Sequence, residues 1–184
     1  MKLKISVFFS IFILAFSCKD GEAIPKPKAQ LRLEYPKPEY EKINLDHLRF
    51  EKNKYASVEK INPEKFNLLY PSMKAKIYLT YYPVKNNLDS LLRDAEKFTF
   101  EHTIKADEII RRDFVNEKER VFGSINLVTG NAASQIQFHA TDSTRHFLNG
   151  SLYFYAQPNY DSIMPAVEYI RHDVQRLLET LQWK

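Results

Sequence analysis

Arg145-His146-Phe147-Leu148-Asn149-Gly150-Ser151-Leu152-Tyr153-Phe154-Tyr155-Ala156 is apolar on two faces at once. In an extended chain Phe147, Tyr153 and Tyr155 fall on one side, and Leu148, Leu152, Phe154 and Ala156 on the other. A strand with two apolar faces needs cover on both, so this segment is predicted as an interior strand of a sheet held between other layers. Asn149-Gly150 also carries a hairpin signal. A turn there would leave strands of three residues, so a bulge or a close backbone approach at Gly150 is the preferred reading.

The flanking sequence supplies partners for that strand. Residues 135–141 alternate polar and apolar, and Asp142-Ser143-Thr144 turns the chain. Residues 107–115 and 120–128 meet at Asn116-Glu117-Lys118, with Val121, Ile125 and Leu127 on one face, and Thr129-Gly130-Asn131 makes the next turn. Residues 76–82 form a strand with Ile77, Leu79 and Tyr81 on one face. Residues 50–61 and 66–70 are shorter candidates closed by prolines, and 31–36 reads as an edge strand ended by Pro36-Lys37-Pro38.

Leu88, Leu91, Leu92, Ala95, Phe98 and Thr99 recur at helical spacing behind Asn86 or Asn87 as N-cap, which predicts a helix over 88–102. A longer stripe runs from Ile163 through Val167, Ile170, Val174 and Leu177 to Leu181. Asp161 or Ser162 caps this second helix, and Pro165 lies in its first turn, where a missing N–H costs little. At roughly 33 Å it can cross one whole face of the sheet, with the first helix on the other. The fold class is α+β: a mainly antiparallel sheet flanked by helices, in a single domain with a long C-terminal amphipathic helix. Its element order is similar to that of the PsbP/Mog1-like sandwich.

The chain has 184 residues, 44% hydrophobic, with 11 Tyr, 13 Phe and one Trp, which excludes disorder for most of it. Four glycines and one cysteine exclude a disulfide framework, a multi-cysteine metal site and a glycine-rich phosphate cradle. That cysteine, Cys18, closes an export signal. Lys2 and Lys4 precede residues 5–16, in which only Ser6 and Ser10 are not hydrophobic. The run covers about 18 Å, well short of the roughly 30 Å hydrocarbon layer of a bilayer. Leu14-Ala15-Phe16-Ser17-Cys18 resembles a bacterial lipobox, loosely, because Ala15 and Phe16 fill places where Leu and a small residue are usual. The resemblance implies a diacylglycerol thioether on Cys18 and a further acyl chain on the new amino terminus, enough for stable anchoring. The expected division is a signal peptide over 1–17, a lipidated, proline-bearing tether over 18–29 and one globular domain over 30–184. Loss of 1–17 removes Lys2 and Lys4, so 27 Lys+Arg become 25 against 23 Asp+Glu and the net charge falls from +4 to +2. No remaining basic run would track a nucleic acid.

Five histidines, His47, His102, His139, His146 and His172, show no metal-ligand spacing, so no metal or cofactor is expected. Asp142, Ser143 and His146, with His139 across the hairpin, hold the residue types of a hydrolase triad, but no nucleophile elbow presents the serine. Catalysis is not expected. His102 reads as a packed or capping imidazole. The tyrosines of 78–82 and 153–160 suit either packing or a ligand groove.

Several blocks are distinctive in another way. Pro25-Lys26-Pro27-Lys28 leads into Leu31-Arg32-Leu33-Glu34-Tyr35-Pro36. Gly130-Asn131-Ala132-Ala133-Ser134, Thr141-Asp142-Ser143-Thr144-Arg145-His146-Phe147 and Pro158-Asn159-Tyr160-Asp161-Ser162 follow, and the chain ends Leu181-Gln182-Trp183-Lys184. Together they resemble the GldD gliding-motility lipoproteins of Bacteroidota over nearly the whole chain. The resemblance implies a membrane-anchored component of gliding motility and the associated type IX secretion apparatus, whose partners are other proteins of that machinery. Asn131, Thr141, Asp142, Ser143, Arg145 and His146 are the candidate contact surface, as polar loop residues without an evident role in the fold. The alternatives are a module binding cell-wall glycan or a small ligand, and a periplasmic hydrolase. Lys19 after Cys18 favours the outer membrane, and Gly21, which interrupts the partial resemblance of Lys19-Asp20-Gly21-Glu22 to a surface-export signal, favours its periplasmic face.

Overall fold

A computed structural model describes residues 34–101, 106–155 and 159–184, except for the side chains of 98–101. The predicted signal, Cys18, the tether and His102 lie outside the described residues. In chain order the elements are β1 (Tyr40–Asn44), β2 (Leu48–Asn53), β3 (Ser57–Lys60), β4 (Lys65–Tyr70), a 3-10 turn (Pro71–Met73), β5 (Ala75–Pro83) and α1 (Leu88–Glu101). There follow β6 (Ala106–Asn116), β7 (Val121–Gly130), β8 (Ser134–Thr141), β9 (His146–Phe154), α2 (Tyr160–Thr180) and β10 (Gln182–Trp183). The class is α+β, as expected, with every strand pair antiparallel.

The larger sheet has the order β3-β4-β5-β9-β8-β7-β6, so the doubly apolar strand is the fourth of seven. Register fixes its faces. Leu148 pairs with Ala140 and Tyr81, and Leu152 with Ile77, on the side covered by α2, where Ile170, Val174, Leu177 and Leu178 join the core. Each such aliphatic side chain contributes about 1.5–3 kcal/mol when removed from water. The opposite, outer face carries Phe147, Asn149, Ser151 and Tyr153 beside Gln137, His139 and Thr141. There α1 packs on β8 and β9, burying Ala95, and Glu96 accepts a 3.1 Å hydrogen bond from Arg111 of β6. All eight residues of β8 are buried, polar ones included, because cover lies on both sides.

Four expectations are corrected. Residues 34–36 carry no strand; the first begins at Tyr40, beyond Pro36 and Pro38, which lack the N–H a ladder needs. The stretch 50–61 is two strands in two sheets, β2 and β3. Between them the buried Asn53 turns the chain, its Oδ1 accepting the Tyr55 N–H and its backbone carbonyl the Ala56 N–H. Helix α2 starts at Tyr160 with Asn159 as N-cap, so Pro165 falls in the second turn, inside the helix. The helix-starting hydrogen bond comes from elsewhere: Asn131 Oδ1 accepts the Tyr160 N–H at 3.0 Å. Lastly, Gln182 and Trp183 form β10 on β2 and complete a second sheet, β1-β2-β10.

Gly150 pairs with Phe138, whose ring lies over its α-carbon, so this is a close approach within a continuous strand and not a hairpin turn. A Cβ there would overlap the Phe138 ring, which is itself in the core. Gly150→Ala is therefore expected to destabilise the domain by about 2 kcal/mol, read as a lower denaturation midpoint; an unchanged midpoint would show that the ring has room to move.

Candidate functional site

The β8–β9 turn is built around one carboxylate. Asp142 Oδ1 accepts backbone N–H groups from Thr144 (2.9 Å), Arg145 (2.7 Å) and His146 (2.8 Å), while Oδ2 accepts the Thr144 hydroxyl at 2.9 Å. Thr141 donates its hydroxyl to the His146 carbonyl at 2.6 Å and accepts the Ser143 N–H. Ser143 takes φ +66°, the left-handed geometry that reverses the chain. Burial pushes the Asp142 carboxyl up, but these four donors outweigh it and hold the group at about 2. The turn thus has a structural account that its sequence did not disclose. Thr141, Asp142 and His146 point inward and are buried, whereas Ser143, Thr144 and Arg145 are exposed. Asn131 is not part of this surface: it caps α2 at the far end of β8.

Histidines 139 and 146 diverge. His146 lies on the core side, its Nδ1 hydrogen bonded to the Tyr81 hydroxyl at 2.9 Å. Its ring stacks on Trp183 (5.3 Å, 13°), while His47 stacks on Tyr81 (4.2 Å, 11°). His139 lies on the outer face, stacked on Phe147 and 3.4 Å from the Ser124 hydroxyl. Burial lowers both imidazole pKa values. With His139 and His146 on opposite faces and Asp142 committed to the turn, these residues assemble no nucleophile–base–acid relay.

A second polar centre escaped the sequence reading. Asp173 of α2 is buried, accepting Tyr40 O–H at Oδ1 and Asn53 N–H at Oδ2, both at 2.9 Å. Asn53 also donates to the Tyr169 hydroxyl. Burial pushes the Asp173 carboxyl up, against the hydrogen bonds from Asn53 and Tyr40. The signal available was a charged residue between Ile170, Val174 and Leu177 in the apolar stripe. This network fastens β1 and β2 to α2.

Depressions at three places among the described residues bear on function. One of about 600 Å³ on the outer face is lined by Tyr78, Tyr82, Tyr153 and Tyr155 with Asn149 and Ser151. Beside it the side-chain amide of Gln137 is buried with no hydrogen-bond partner among the described residues. One of about 360 Å³ lies where the β6–β7 and β8–β9 turns meet the chain end, lined by Lys118, Arg120, Arg145 and Lys184 with Glu119 and Asp142. Another, of about 610 Å³, adjoins it and shares Lys118 and Glu119. No group of three or more His, Cys, Asp or Glu among the described residues is arranged to hold a metal ion, and no described helix is long and apolar enough to cross a membrane.

Sheets and helices together describe an α+β domain. Residues 20–183 match the family model of the gliding motility lipoprotein GldD. The chain belongs to that family, and with it to the lipoproteins associated with gliding motility. No curated protein and no solved structure matches it.

Asp142 gives the site a pH signature. Its carboxyl is held below the ordinary aspartate value near 4, so its stabilisation is present above about pH 4 and is lost as pH falls towards 2. Asp142→Asn is expected to cost about 1–2 kcal/mol at neutral pH and to flatten that acid limb in denaturant titrations run across pH. An acid limb identical to wild type would assign the loss to other carboxylates.

Proposed function

We propose that the chain is a lipid-anchored, non-enzymatic component of the gliding-motility machinery and of the associated type IX secretion apparatus, acting through protein contacts. The observation that carries this reading is the family match over residues 20–183. Cys18 is the proposed acylation site, 18–29 the tether and the outer membrane, periplasmic side, the proposed location; Lys19 after Cys18 supports that membrane. The exposed part of the β8–β9 turn, Ser143 to Arg145, is the proposed contact surface, since its inward neighbours are occupied by the fold. Deletion is expected to abolish colony spreading and to lower secretion, and Cys18→Ala to abolish acyl-chain labelling and membrane recovery. Normal spreading together with normal secretion in the deletion strain would refute the proposal.

The outer-face groove favours a second reading, a glycan-binding module. Tyr78, Tyr82 and Tyr155 expose 41%, 40% and 58% of their surface beside the amide and hydroxyl groups of Asn149 and Ser151. Rings with neighbouring neutral hydrogen-bonding groups suit the stacking of sugar C–H faces. Tyr82→Ala combined with Tyr155→Ala is expected to reduce co-sedimentation with purified cell-wall sacculi several-fold; equal sedimentation would remove this reading.

A further inference from the structure

We propose that the depression between the β6–β7 turn, the β8–β9 turn and the chain end is a docking pocket for an acidic segment of a partner protein, one that presents side-chain carboxylates. The inference deepens the reading that this chain acts through protein contacts, and rests on it.

The first observation is charge. Lys118, Arg120, Arg145 and Lys184 line the pocket together with Glu119 and Asp142, an excess of two cationic side chains. Asp142 is the less available of the two carboxylates, because its oxygens already accept three N–H groups and a hydroxyl. The second observation concerns partners. Arg120 donates to the Asp142 carbonyl at 3.2 Å and Lys184 to the Leu45 carbonyl at 2.6 Å. Among the described residues none of these four cations meets a carboxylate, whereas Lys52, Lys76, Arg111, Arg171 and Arg176 each meet a glutamate. Four cations gathered beside two carboxylates, none of them in an ion pair among the described residues, form a site of net positive potential with unused donors, two of them forked guanidinium groups suited to carboxylates.

The wall of the pocket is preorganised. Trp183 is held by its stack on His146 and by its indole N–H, which donates to the Arg120 carbonyl at 3.2 Å. His146 is fixed in turn by Tyr81, and Arg145 leaves a turn locked by Asp142. Little ordering is therefore needed when a ligand arrives. Size and shape select the occupant. A concavity of about 360 Å³ admits one or two side chains but not the plane of a membrane. The adjoining depression beyond Lys118 and Glu119 leaves room for the rest of an extended segment.

Fluorescence anisotropy of a labelled hexaglutamate peptide, titrated with the full lipidated chain in neutral detergent, tests the assignment. Hexaserine, inorganic phosphate and phosphatidylglycerol vesicles serve as competitors. The peptide is expected to bind, and binding to weaken as salt rises past about 0.15 M. Arg145→Gln with Lys118→Gln is expected to weaken it roughly ten-fold. Glu119→Gln should strengthen it, Arg145→Lys should retain part of it, and Lys60→Gln, away from the pocket, should leave it unchanged. Lys118, Arg145 and Lys60 are exposed and Glu119 is half-buried, and denaturation midpoints check the fold; should the double variant fail to fold, Lys184→Gln supplies the same readout. Absence of peptide binding, equal binding by the pocket variants, or equal competition by phosphate or vesicles would overturn the assignment. Spreading and secretion are measured separately, so the pocket can fail while the motility reading stands.

Discussion

The structure depends on sealing β8, and the Phe147 end of β9 beside it, from water on both faces. These strands lie beside each other in the middle of seven, and Leu148 and Leu152 on one side and Phe147 on the other cannot be satisfied by a single cover. One helix on each side follows from that requirement. The seal also sets a chemical condition, because polar groups enclosed by it need partners from within the protein. Thr141 gives its hydroxyl to the His146 carbonyl, and His139 lies against Ser124 and Phe147. Asp142 gathers the N–H groups at the point where the two strands leave the seal.

The same constraint explains what was legible in the sequence. The period-two pattern of β5, β7, β8 and β9 and the long stripe of α2 placed the central strands and the long helix, because hydrophobic periodicity reports the side that meets the core. The margins were less legible. β1 and β10 are short and polar, and beyond the local β1–β2 hairpin they are held by neighbours distant in sequence: β10 by β2 and the Trp183 contacts, β1 by the Asp173 network. Pro165 marked the first turn of α2 wrongly because the helix is started by Asn131, a residue 29 positions away whose side chain replaces a local cap. The alternation in β8 implied one solvent-facing side, yet Gln137 and His139 are buried; period alone does not tell a polar face in water from one under a helix.

This bears on how a polar block is read for function. Residues 141–146 stood out because so many of them are polar in so short a loop, and most of that polarity is spent on closing the turn. Asp142 could not be replaced by an apolar residue without leaving the buried His146 N–H unpaired at the end of two strands, a cost of about 1–3 kcal/mol, and releasing the Thr144 and Arg145 N–H groups that shape the turn. The members directed outward carry no such obligation. Arg145 donates its backbone N–H to Asp142 and leaves its guanidinium in solvent, so one residue divides between the fold and the surface.

That division separates the two kinds of information in the chain. Exposed charges contribute little to stability, about 0–1 kcal/mol even when paired, so Lys118, Arg120, Arg145 and Lys184 leave no mark on the periodicity that specifies the sheet. They come from two hairpin turns and the chain end, and only the antiparallel order β9-β8-β7-β6 with β10 folded back on β2 gathers them around one pocket. Their grouping is mildly unfavourable for the isolated domain, because like charges repel and the nearby carboxylate of Asp142 is turned into the protein. Arg120 and Lys184 each serve the fold through one backbone carbonyl, but the Lys118 and Arg145 side chains make no hydrogen bond or ion pair among the described residues, and the physical account of keeping them beside a pinned Trp183 has to be sought in what the pocket meets.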